Sequence, residues 1–169
     1  MPRPDLTRVP EYYHKYIDKV KEDDLITALR NSATTLFNLL NSLPEEKQNY
    51  RYAEGKWTIK ELVQHLMDSE RVFSYRALRF SRKDESRLPG FNEKHFGENA
   101  KADKRNWNEM LDEFAGLLKA DLAMFASFDN EQLEQSGIAS DRPVYVLAIG
   151  FICAGHILHH CDVIKERYL

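Results

Sequence analysis

Apolar residues recur along most of this chain at three-, four- and seven-residue spacings, the period of a helix with one buried face. Between about Glu22 and Leu43 the stripe is Leu25, Leu29, Leu36, Leu40 and Leu43, and Pro44 closes it. A second helix is predicted from Thr58 to about Arg82. There Thr58 and Glu61 form a T-x-x-E capping box, and Leu62, Leu66, Phe73 and Leu78 lie on the apolar side. A third runs from about Lys104 to Phe128 with Trp107, Leu111, Phe114, Leu118, Leu122 and Phe125 as its buried stripe, ending at Asp129-Asn130. The fourth is predicted to start near Ser140 or Asp141, with Pro143 in its first turn, and to run nearly to Leu169. It is the most apolar of the four, hence the most buried.

The segments between these stripes set the architecture. Residues 1–21 carry Tyr12, Tyr13 and Tyr16 and read as an N-terminal arm along the bundle, with room for a short helix. Lys83 to Asp103 is an unusually long connection holding Leu88-Pro89-Gly90-Phe91 and Phe96. Extended, it reaches roughly 70 Å, against ~37 Å for a 25-residue helix, so it can carry the chain back and leave the second and third helices parallel. The expected fold is therefore an all-α four-helix bundle, up-down-down-up, with the long crossover between helices 2 and 3, in a single domain over 1–169.

Composition narrows the class. At 169 residues and 43% hydrophobic, the chain has material for one self-sufficient core. A net charge of −3 with both signs interspersed does not suit a nucleic-acid partner. The longest apolar run, Val144 to Gly155, is interrupted by His156 well short of the ~20 residues that cross a bilayer, so no membrane partner is expected. Met1-Pro-Arg-Pro lacks the apolar stretch of a signal peptide, and Cys153 and Cys161 both sit in an apolar helical pattern. A soluble protein of the cytoplasm is the expectation.

The candidate chemistry lies in the histidines. On the fourth helix His156 and His160 are about 40° apart and share a face with Ile149, Ile152 and Val163, so both point inward. His159 lies about 100° from His160 and is the weaker ligand candidate. On the second helix His65 shares its face with Ser69, Val72 and Arg76. Three inward histidines are either separate core residues bonded to carbonyls, or a divalent-metal site of an i, i+4 pair completed by a third imidazole. Register offers a check. His65 lies roughly 10 Å into its helix and the pair roughly 14–20 Å from the end of theirs, levels that match only if helices two and four are antiparallel. Ile157 stands where a zinc protease has its Glu, and the Glu-x-x-His pairs of di-iron bundles are missing, which leaves a mononuclear three-histidine centre.

Four segments together resemble the DinB-like (damage-inducible) proteins: R-Y-A-E-G-K-W-T-I-K-E-L at 51–62, H-L-M-D-S-E-R-V-F-S-Y-R-A-L-R at 65–79, L-P-G-F at 88–91 and A-G-H-I-L-H-H at 154–160. That four-helix-bundle superfamily includes bacillithiol S-transferases, mycothiol-dependent maleylpyruvate isomerases and members described as metal-dependent hydrolases. The resemblance implies the up-down-down-up bundle, a homodimer, and His65, His156 and His160 as the metal triad. The cofactor expected is a divalent metal ion, zinc foremost, with nickel or iron also suited to three imidazoles.

The expected activity is that of a metal-dependent enzyme acting on a small-molecule substrate. First comes transfer of a low-molecular-weight thiol to an electrophile; the alternatives are hydrolysis by metal-bound hydroxide, and a non-catalytic bundle with a structural metal or core histidines. Arg76 is read as binding a substrate carboxylate, or else pairing with Glu61 or Asp112, and Ser69 as lining the cavity. Asp68 is the candidate acceptor for an imidazole N–H, and Glu70 is expected to face a neighbouring helix or solvent. Cys153 reads as a buried structural thiol, Trp57 as the staple at the second helix's start, and His95 and Phe96 as a solvated segment or a lid over the site.

Overall fold

The computed structural model describes residues 3–169; the first two residues of the expected arm lie outside them. The arm holds a 3-10 turn, Leu6–Arg8, and a short helix α1 (Glu11–Ile17). Helix α2 (Leu25–Asn41) starts on Asp24, whose carboxylate accepts from Thr27 N, so it begins with the first leucine of its stripe, three residues after the expected start near Glu22. Helix α3 (Ile59–Ser81) opens on the predicted capping box: Glu61 N donates to Thr58 Oγ1 at 3.1 Å and Thr58 N to Glu61 Oε2 at 2.7 Å. The crossover is not a structureless loop, since it contains helix α4 (Glu93–Asn99) and a 3-10 turn, Ala102–Lys104. Helix α5 (Trp107–Ala126) starts on Asn106, and Asp129 ends that segment by capping a short helix α6 (Asn130–Glu134).

The largest correction concerns the start of the fourth long helix. Residues assigned to its first turn form a hairpin, β1 (Ser136–Ala139) antiparallel to β2 (Arg142–Tyr145), and helix α7 (Val146–Arg167) begins only after it. Ser140 and Asp141 form the two-residue turn with φ of 52° and 60°, and Pro143 pairs with Ile138 inside the strand. A proline is tolerated there because, among the described residues, β2 has no strand partner on its other side. The crossover covers the outer edge of β1: Leu88 N donates to Ile138 O at 2.9 Å and Ser140 N to Leu88 O at 3.0 Å.

Side-chain pairings fix the helix directions. Tyr168, at the end of α7, donates to Trp57 O just before α3 at 2.7 Å, so α3 and α7 are antiparallel. Lys60 reaches Arg105 O, Arg71 pairs with Glu113, and Arg82 lies over Phe128, so α3 and α5 run parallel. Leu25 meets Gly150 at one end and Lys47 meets Tyr168 O at the other, so α2 and α7 are parallel too. The bundle is up-down-down-up, as expected. Helix α7 is long and apolar enough to cross a membrane by composition alone, yet most of it is buried among the other helices.

The first stripe is buried throughout, from Leu25 to Leu43. In the third helix only Phe114 and Phe125 of the expected stripe are fully buried, joined by Met110 and Asp121, while Trp107, Leu111, Leu118 and Leu122 are half-buried. Leu78, expected on the core side of α3, is exposed.

Candidate metal centre

The antiparallel α3 and α7 bring three imidazoles to one level. His156 Nε2 lies 3.3 Å from His65 Nε2 and 3.0 Å from His160 Nε2, and the ligand atoms of all three fall within 4.8 Å of one another. His65 and His156 are buried and His160 partly so. Burial pushes the imidazole pKa of His65 down to about 4 and that of His160 down to about 3, and His156 is likewise held well below its ordinary range, so all three are neutral near pH 7.

This donor set fits a divalent cation. Nitrogens bound at ~2.0–2.1 Å with tetrahedral angles stand ~3.3–3.4 Å apart, close to the 3.3 Å and 3.0 Å that separate His156 Nε2 from the other two. Each Nε2 carries a single proton or lone pair, so hydrogen bonding among three converging nitrogens leaves one of them poorly matched, whereas a cation accepts all three lone pairs. Nδ1 of His156 and of His160 is buried with no hydrogen-bond partner among the described residues. The expected Asp68 acceptor is therefore not there: its carboxylate takes Gln64 Nε2 at 2.9 Å instead. His159 stands outside the cluster, edge-on to Tyr16 at 5.4 Å.

Two of the histidines each border a cavity. His160 lines the larger, about 560 Å³, with Trp57, Tyr52, Tyr168 and Val163 beside it and Lys94, Gly97 and Glu98 of α4 closing one side. His156 lines the smaller, about 80 Å³, with Ser69, Arg76, Tyr13, Tyr16 and Ser140. Trp57 thus does more than staple a helix. Its ring lies 4.7 Å from that of His65, and a Cβ at position 97 would stand 3.2 Å from its Nε1, so glycine there lets α4 approach. Phe96 is exposed and His95 is bonded by Asn99 within α4, so α4 walls the larger cavity through Lys94, Gly97 and Glu98.

Both residues proposed from the sequence to act on substrate border the smaller cavity. Arg76 is buried and pairs with neither Glu61 nor Asp112: its Nη2 donates to Pro89 O at 3.0 Å and Ser140 Oγ at 2.9 Å. Ser69 is also buried, and its Oγ has no partner among the described residues. Glu70 faces a neighbouring helix, as one alternative had it, and meets Asp121 and the buried Cys153. Sequence periodicity missed Tyr16 and Ser140, which come from the arm and the hairpin and belong to no long-helix stripe.

The sequence pattern of the DinB superfamily matches residues 28–164, which include all three histidines. The chain belongs to this superfamily. No curated protein matches the sequence. Among solved structures this DinB chain is similar to YfiT from Bacillus subtilis, described as a probable metal-dependent hydrolase with an unusual four-helix bundle topology. The TM-score is 0.72 at 17% identity, over 98% of this chain and 90% of that one. At that identity the likeness shows the four-helix-bundle fold.

Proposed function

We propose that this DinB-superfamily chain is a metal-dependent enzyme that holds one divalent ion on His65, His156 and His160. The observation that carries the reading is the convergence of three neutral imidazoles, with His156 Nε2 3.3 Å and 3.0 Å from the other two and all three ligand atoms within 4.8 Å of one another. A bound ion supplies Lewis acidity: it makes a thiol or a water nucleophilic at neutral pH. The chain's own residues do the rest. Helix packing holds the imidazoles in place, the Trp57 ring lies against His65, and the Tyr16 and Phe73 rings pack edge-on to His156.

The finer reading is transfer of a low-molecular-weight thiol to a small electrophile. Supporting it, a transferase needs two organic substrates to meet at one centre, and His160 and His156 each border a different cavity. Hydrolysis is the second reading, favoured by the description of YfiT as a probable metal-dependent hydrolase. Metal content of untagged protein, purified without chelators, tests the site. About one zinc, nickel or iron per chain is expected, lost in His65→Ala and in His160→Ala. Metal-free protein that takes up no added ion would overturn the reading. Incubating the loaded protein with thiols and electrophiles, against esters and amides in water alone, then separates the two reactions by product.

A further inference from the structure

Arg76 is an unusual residue for the inside of a bundle, because a guanidinium stays charged and its burial is costly without a carboxylate. It is 3% exposed, and no acid pairs with it among the described residues. Its Nη2 is fully used by the Pro89 carbonyl and the Ser140 hydroxyl, which fixes its plane. Nη1 and Nε donate to no carbonyl or carboxylate among the described residues. The Tyr13 side chain also hydrogen-bonds the guanidinium, and the Phe73 ring lies 5.8 Å from Cζ. Ser69, two helical turns before Arg76 on the same face, is 1% exposed with its Oγ unpartnered. Both border the cavity of about 80 Å³ that ends against His156. A water occupies ~30 Å³, so the space suits two or three waters or one planar acid group. Among the described residues the only carboxylate along its walls is Glu93, exposed and facing Lys15.

We propose that this pocket is an anion subsite that takes the carboxylate of a small organic acid, held by Arg76 and Ser69 with the rest of the molecule directed at the histidine centre. The orphaned Ser69 hydroxyl, beside a buried guanidinium whose hydrogen bonds go to neutral oxygens and not to a carboxylate, calls for one oxyanion. The subsite deepens the metal-enzyme reading by naming the substrate class, and it rests on that reading only for the acid being a substrate. The anion itself binds to groups that need no metal.

Calorimetric titration of metal-stripped protein with acetate, and separately with inorganic phosphate, tests it. Saturable acetate binding is expected, weakened roughly tenfold or more in Arg76→Gln and less in Ser69→Ala, as loss of one charged and one neutral hydrogen bond requires. Because Arg76 also ties down the hairpin, the exposed Glu93→Gln is the companion variant. It removes the rim's negative charge and should tighten acetate binding without affecting the fold, as melting curves would check. Phosphate binding as tightly as acetate would overturn the carboxylate assignment in favour of a phosphate-bearing substrate. Absence of saturable binding, or binding indifferent to all three substitutions, would overturn the subsite. A protein that binds acetate but no metal would instead sink the enzyme reading and leave the subsite standing.

Discussion

A methyl group at Gly155 would overlap the backbone carbonyl of Tyr16, because α1 lies directly on α7 one residue before His156. Gly155→Ala is therefore expected to destabilise by about 1–3 kcal/mol as α1 is forced off the bundle. It should also weaken metal binding, since Tyr16 sits edge-on to His156 at 5.3 Å. Gly116→Ala is the control: nothing lies within 4 Å of the place its methyl would take, and it should gain up to ~1 kcal/mol of helix propensity. Equal melting shifts in the two variants would sink the argument. At this scale the histidines were legible because side-chain direction along a helix follows from its period. Arg76 and Ser69 were placed on the right face for the same reason. The partners of Arg76 were not, since Pro89 and Ser140 come from segments whose position no periodicity encodes.

Secondary-structure elements were legible in proportion to their length. The long helices α2, α3 and α5 stand within a few residues of their stripes, and the capping box at Thr58 marked the start of α3. The hairpin was missed because Ser140-Asp141-Arg142-Pro143 carries the same residues as a helix start, a capping side chain and an early proline. What decides otherwise is that Gly137 has no Cβ: a methyl there would run into the Phe80 ring, so β1 lies flat on α3 and draws the following residues into a strand. The turn then needs left-handed backbone at two non-glycine residues. Asp141→Gly should relieve that cost and stabilise the protein by roughly 0.5–1 kcal/mol, a rise of about 2–4 °C in Tm per kcal/mol for a chain of this size. The exposed Arg87–Asp141 pair that it removes is worth little. An unchanged or lower Tm would show that the turn is not strained.

The order of the bundle was readable from two unrelated quantities, crossover length and histidine level, because both are consequences of where four rods can lie. That order also gathers groups from distant parts of the chain. Parallel packing of α3 and α5 sets Glu70 beside Asp121, with Cys153 of α7 above them. Burial, and then the Asp121 charge, push the Glu70 carboxyl up to about 8 from an ordinary 4.5, while burial raises Asp121 to about 6. The native state thus holds a proton on Glu70 that the unfolded chain has released, and stability must fall as pH rises toward 8. The histidines act oppositely. Their pKa values are depressed by burial, so the unfolded chain binds protons that the metal-free native state refuses, and stability falls as pH drops below 6.5 toward 3. Between about pH 4 and 6 the acids and imidazoles oppose one another. Only above about pH 7.5, where the unfolded imidazoles have also lost their protons, does Glu70 act alone in this set, and below 4 the histidines dominate. Urea midpoints of metal-free protein should therefore decline from about pH 7.5 to 8, with a slope of at most ~1.4 kcal/mol per pH unit for one proton, and Glu70→Gln should flatten that limb. His65→Ala should soften the acid limb and leave the alkaline limb alone. An alkaline decline of equal slope in wild type and Glu70→Gln would place the responsible proton on another group.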